Sequence, residues 1–179
     1  MSLRSRRESA GRAPRSRERC EDLVRSLDIQ APFDVEALCR SIAEQRGRPL
    51  YLHSTPGVTG TDIPCGAWLA TEKADHIFHE QSTSPLHRTH IILHELGHML
   101  LGHQSALDDS GTGISAALFP DLSPAMVTSL MKRASYNTED ERSAEYLAGL
   151  IASKADLATK KNRDRESVLQ RLDDALSDT

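Results

Sequence analysis

The stretch Thr89-His90-Ile91-Ile92-Leu93-His94-Glu95-Leu96-Gly97-His98-Met99-Leu100 reads as one helix carrying two imidazoles and a carboxylate. Positions i and i+4 of a helix lie one above the other, so His94 and His98 can offer nitrogens to a single ion while Glu95 stands one step around the axis. That spacing is the zinc-hydrolase pattern H-E-x-x-H. As a bare string it recurs by chance on the order of once in several thousand positions, so its flanks must add weight. Ile91, Ile92, Leu96, Met99, Leu100 and Leu101 surround the helix with apolar surface, which places the two histidines and Glu95 in or beside a core. A buried Glu beside two imidazoles is costly without a partner, and a divalent cation is the natural one. The competing reading is a helix whose histidines only hydrogen-bond.

Working backwards from this helix, Ser84-Pro85 supplies an N-cap and a first-turn proline, and Gly102 stops the helix after about Leu101. Before it, Pro49-Leu50-Tyr51-Leu52-His53, Gly66 to Thr71 and Asp75 to His79 read as strands, the last two joined by a turn at Thr71 to Ala74. The glycines and prolines between Ser54 and Pro64 read as a loop. These elements predict a small antiparallel sheet packed on the metal helix, in an α+β domain. An edge strand beside a metal can hold an extended peptide by backbone hydrogen bonds. Further back, Cys20, Leu23, Val24 and Leu27 predict a short helix from Arg19 to Leu27. Asp34 caps a second helix whose stripe of Val35, Leu38, Cys39, Ile42 and Ala43 ends before Gly47.

Downstream, 105–135 is polar and glycine-containing at its start, and Ser123-Pro124 with Ala125, Met126, Leu130 and Met131 predicts another short helix. The second informative stretch runs from Tyr136 to Ala152. Thr138 and Glu141 have the spacing of a capping box, and Glu141, Ala144, Glu145 and Ala148 fall on one helix face. Small residues there allow a close helix-helix approach. A capping role accounts for Glu141 alone and leaves Glu145 beside Ala144 and Ala148 unexplained. Beyond Ala155 the chain turns strongly charged, with Val168, Leu169 and Leu172 sufficient for a last amphipathic turn or two.

Charge and composition narrow the function classes. Residues 1–19 hold seven Arg against two Glu, leaving 15 basic and 24 acidic side chains in residues 20–179. The folded part is therefore acidic, which argues against nucleic acid as its ligand, and the Arg-rich arm is expected to be disordered. No stretch approaches the length of a membrane span, and no apolar run follows the basic start as in a secretory signal. Cys20, Cys39 and Cys65 form no metal-binding pair, favouring reduced thiols in a cytoplasmic protein. The expected organisation is a tail over 1–19, one domain over 20–160 and a charged, partly helical or frayed segment over 161–179.

Catalytic zinc takes three protein ligands and keeps one position for water. His94 and His98 supply two. For the third, Glu141 ranks first and Glu145 second; His103, just past the helix, competes, ahead of His76, His79, His87 and His90. The long pattern HExxHxxGxxH is not met, since Leu101 and Gln104 stand at its last two fixed positions. In such a site Glu95 is the general base, and Glu145 can accept a hydrogen bond from a ligating imidazole. Tyr136 and His103 are the candidates for oxyanion contact.

His94-Glu95-Leu96-Gly97-His98 with Leu100, Leu101, Gly102 and His103, together with Glu141-Arg142-Ser143-Ala144-Glu145 and Leu147-Ala148, resembles the ImmA/IrrE family of metallo-endopeptidases over roughly residues 33–152. The resemblance implies a compact zincin-like fold of gluzincin type. It assigns His94, His98 and Glu141 as Zn2+ ligands and Glu95 as the catalytic carboxylate. It also implies a protein or peptide substrate, such as a helix-turn-helix repressor whose cleavage switches genes on. Ser143, Glu145 and Leu147 depart from the residues common in that family. The alternative function is a non-catalytic, metal-stabilised module that binds a regulator through the same groove, with His103 or Cys65 closing the metal.

Overall fold

A computed structural model describes residues 3–56, 65–103 and 136–177, with the side chains of the first helix described from Arg15 onward. The order is α1 (Leu3–Ser26), α2 (Val35–Arg46), β1 (Leu50–Thr55), β2 (Gly66–Ala70), β3 (Asp75–Glu80), α3 (Pro85–Leu101) and α4 (Thr138–Ser177). The helix predicted at Ser123-Pro124 and most of the loop before Cys65 lie outside the described residues. Among the described residues no helix is long and apolar enough to cross a membrane.

Local chemistry sets the helix ends. Asp34 Oδ1 accepts the Glu36 N–H at 2.8 Å to start α2, and Gly47, at φ 60°, ends it in the left-handed region that glycine enters without steric cost. Ser84 Oγ accepts the His87 N–H at 3.2 Å to start α3, with Pro85 in its first turn. The cap of α4 corrects the sequence reading. Asn137 Oδ1, not Thr138, accepts the N–H groups of Glu139 and Asp140, both at 3.0 Å. Asparagine outranks threonine at this position, and its use relieves Glu141 of a capping role.

Strand order is β1-β3-β2. The hairpin is as expected: β2 runs antiparallel to β3, with Gly66 opposite His79 and Ala70 opposite Asp75, around a turn closed by Thr71 and Ala74. The sheet is not wholly antiparallel, however, because β1 pairs parallel to β3 from Leu50↔Asp75 to Thr55↔Glu80. Alternation of side chains carries no information about strand direction. The connection from β1 to β3 takes in the whole of β2 and its preceding loop, which gives the length a parallel pairing needs. β3 is thereby the central strand, buried along its length, and β2 is left at an edge.

One polar cluster ties α2 to the hairpin. The Asp75 carboxylate, almost wholly buried, accepts from Arg46 Nη2 at 3.0 Å, Arg48 Nε at 2.9 Å and Trp68 Nε1 at 3.1 Å. Arg48 also donates to the Thr71, Glu72 and Ala74 carbonyls, so a single guanidinium braces the turn.

The apolar core lies between α3, α4 and the sheet, with α1 and α2 closing its flanks. Ile92, Leu96, Leu147 and Ile151 are fully buried there, each contributing about 1.5–3 kcal/mol by removal from water. α3 and α4 meet at Gly97. A Cβ at that position would lie 2.8 Å from the Ala144 carbonyl oxygen and 2.9 Å from Ala144 Cα, so only glycine permits this approach. The small residues of the α4 face are used as their pattern suggested.

One end segment differs from expectation. The first helix is continuous from Leu3, where the sequence predicts a disordered arm over 1–19 and a helix only from Arg19. Within it the Arg17 guanidinium lies over the Tyr146 ring of α4 at 5.6 Å. Lys154 of α4 in turn donates to the Val24 and Leu27 carbonyls, both at 2.7 Å, capping the end of α1. At the other end α4 runs unbroken to Ser177, into the segment expected to be partly helical or frayed.

Candidate metal centre

α3 presents His94 and His98 at its contact with α4, one helical turn apart, and α4 delivers Glu141 from its own first turn. His94 Nε2 lies 3.1 Å from His98 Nε2 and 3.3 Å from Glu141 Oε2; His98 Nε2 lies 3.9 Å from Glu141 Oε1. These three residues form a His/His/Glu cluster capable of coordinating a metal ion, with one donor atom from each inside a 4.8 Å span. The burial is graded. His98 is fully enclosed and His94 largely so, while the Glu141 side chain is 45% exposed. Enclosure, followed by the neighbouring His94 and His103, pulls the His98 pKa down to about 3. That imidazole is neutral at ordinary pH, the form a metal requires.

Glu95 packs against the edge strand. It is 4% exposed, and among the described residues its Oε2 has no hydrogen-bond partner. Burial, and then the Glu141 charge, push its pKa up to about 8, against the opposing hydrogen bond from the Trp68 backbone N–H. Gly66 makes room for it: a Cβ there would stand 2.9 Å from Glu95 Oε1 and 2.5 Å from Ile91 Cγ2. A cavity of about 280 Å³ opens in front, lined by Cys65, Gly66, Glu95, Tyr136 and Glu141 among others. A cation against Glu141 and the imidazoles would offset the desolvation that keeps the Glu95 carboxyl protonated. The orphaned Oε2 and the mixed imidazole and carboxylate donors both fit such an ion.

The remaining candidates fall around this cluster rather than in it. Glu145 Oε2 lies 3.3 Å from His94 Nδ1, as its spacing suggested, and 3.4 Å from His90 Nε2 on its other side. Tyr136 stacks on His98, with ring centroids 3.5 Å apart. His103 lies outside the three-residue cluster, its Nδ1 2.9 Å from His98 Nδ1. Cys65 is exposed at the cavity rim and outside the ligand set. His76 pairs with His53 at 3.0 Å, and His79 accepts from Arg88. Neither belongs to the cluster, and the same holds for His87 and His90.

Sequence reasoning missed the close approaches at Gly66 and Gly97 and the contact of His90 with Glu145. In comparisons with known proteins, the chain matches no family model, no curated protein and no solved structure.

Proposed function

We propose that the chain is a zinc-dependent endopeptidase of narrow specificity, of the ImmA/IrrE type its motifs resemble, acting in the cytoplasm on a transcriptional regulator such as a helix-turn-helix repressor. One observation carries the reading. Two imidazole Nε2 atoms 3.1 Å apart and a carboxylate converge beside a buried glutamate whose Oε2 lacks a partner, at the mouth of a cavity. A structural zinc site needs ligands and closure, and has no use for such a carboxylate.

His94, His98 and Glu141 would hold the ion. When bound, zinc supplies Lewis acidity, lowering the pKa of a water and polarising a scissile carbonyl. Glu95 then accepts the proton of the attacking water at a carboxylate oxygen and hands it to the leaving nitrogen. Gly66 and the Trp68 N–H hold that carboxylate against β2, and its burial excludes competing water. Glu145 holds His94 by its outer nitrogen, leaving Nε2 for the ion. β2, as an edge, offers backbone groups to an extended peptide. Neither His103 nor Cys65 joins the ligand set, which supports catalysis over a closed, purely structural centre.

The test is cleavage of a peptide library built from helix-turn-helix regulators by the zinc-reconstituted protein. Discrete cuts that vanish on chelation and return with zinc are expected. A fully zinc-loaded protein that binds such a regulator and leaves it intact would contradict the proposal and favour the binding module.

A further inference from the structure

His98 has a second edge, which faces away from the cluster, and the groups behind it form a directed chain. Gly102, at φ 68°, turns the backbone so that the His103 N–H reaches the His98 carbonyl at 3.0 Å. The same turn brings the two side chains together, His103 Nδ1 to His98 Nδ1 at 2.9 Å. Beyond it, His103 Nε2 is 3.3 Å from Ser143 Oγ and 3.6 Å from Asp140 Oδ1.

Hydrogen counting gives this chain its direction. Ser143 has one hydroxyl hydrogen, and the Glu139 and Asp140 carbonyls both lie 3.0 Å from Oγ as acceptors for it. With its hydrogen on either carbonyl, the hydroxyl accepts from His103. Asp140 can only accept: its Oδ2 takes the Asn137 amide at 2.6 Å, and Oδ1 is the oxygen facing His103. The carboxylate, which can only accept, and the hydroxyl so oriented favour the hydrogen of a neutral His103 on Nε2. Its Nδ1 is then an acceptor, so His98 must donate from Nδ1, and the lone pair of His98 falls on Nε2.

We propose that His103, oriented by Ser143 and Asp140, is a positioning residue that holds His98 in the tautomer whose Nε2 lone pair faces His94 and Glu141. The competing arrangement puts the hydrogen on His98 Nε2, donated to His94 Nε2 at 3.1 Å. It satisfies the inner pair but turns a lone pair of His103 against the Asp140 carboxylate. The inner side meets the cavity through His94 and the half-exposed Glu141, where a cation can replace the lost bond. The outer chain therefore decides. The inference rests on reading the cluster as a metal site, but the tautomer itself is a property of the metal-free protein.

Long-range 1H–15N correlation spectra of the metal-free, 15N-labelled chain read that tautomer directly. His98 protonated on Nδ1 is expected; protonation on Nε2 overturns the proposal even if every variant misfolds. Zinc affinity, by competition with a chromophoric chelator, supplies the second readout. His103→Leu, which removes the acceptor, is expected to lose about 10- to 100-fold in affinity. His103→Asn, which keeps an acceptor near the Nδ1 position, is expected to remain near the parent. Equal affinity in all three proteins, with melting temperatures showing each folded, overturns the proposal. A parent that takes up no zinc would sink the metal reading, and the spectra would still decide the tautomer.

Discussion

Glu95→Gln is expected to abolish peptide hydrolysis while leaving metal uptake and the fold intact. Glutamine has the shape of glutamate and keeps an oxygen for the Trp68 N–H, so the packing of α3 against Gly66 survives. What it loses is the ability to take a proton from water. Removal of a positioned general base lowers the rate by about 10²- to 10⁴-fold. Because the buried carboxylate is already disfavoured as a charge, a neutral amide there should leave the metal-free protein at least as resistant to thermal unfolding as the parent. Turnover, zinc stoichiometry and melting temperature, measured on the same preparation, separate these effects. Undiminished hydrolysis in this variant would remove Glu95 from the mechanism.

The largest effect on stability is expected at Asp75. Its replacement by alanine strands Arg46 and Arg48 beside the hairpin and leaves the buried Trp68 Nε1–H without an acceptor. Loss of one member of a buried ion pair costs about 3–5 kcal/mol. The partial exposure of both arginines places the expected loss near the lower figure. Asp75→Asn retains an acceptor for Trp68 and should lose less. Urea unfolding gives both numbers. A change no larger than the roughly 0.5 kcal/mol of an ordinary surface substitution would show that the cluster does not hold α2 to the hairpin.

Local chemistry was legible in the sequence wherever it acts on neighbouring residues. Ser84-Pro85 and Gly102 bound α3 as read, Asp34 and Gly47 bound α2, and the Thr71 turn joins the expected hairpin. The two imidazoles and Glu141 converge because helical spacing and a small-residue face are both written in the chain. What escaped depends on partners far along the sequence or on fine competition between adjacent residues. The parallel direction of β1 has no periodic signature. Asn137 displaced Thr138 as cap by the stronger acceptor geometry of its side chain. The contact of Arg17 with the Tyr146 ring was hidden because an arginine's charge says nothing about the aromatic ring its guanidinium will cover. His103 was weighed as a ligand because sequence places it near the metal helix without saying which edge of His98 it meets; the left-handed glycine before it was the available clue.

The reading as a whole turns on whether His94, His98 and Glu141 hold one ion. Metal content after zinc loading and exhaustive dialysis, compared between the parent and Glu141→Ala, measures this most directly. The account predicts one tightly retained zinc per parent chain and loss of that retention in Glu141→Ala, with both proteins folded. A folded parent that retains no zinc, or a Glu141→Ala protein that retains it as tightly as the parent, would contradict the account.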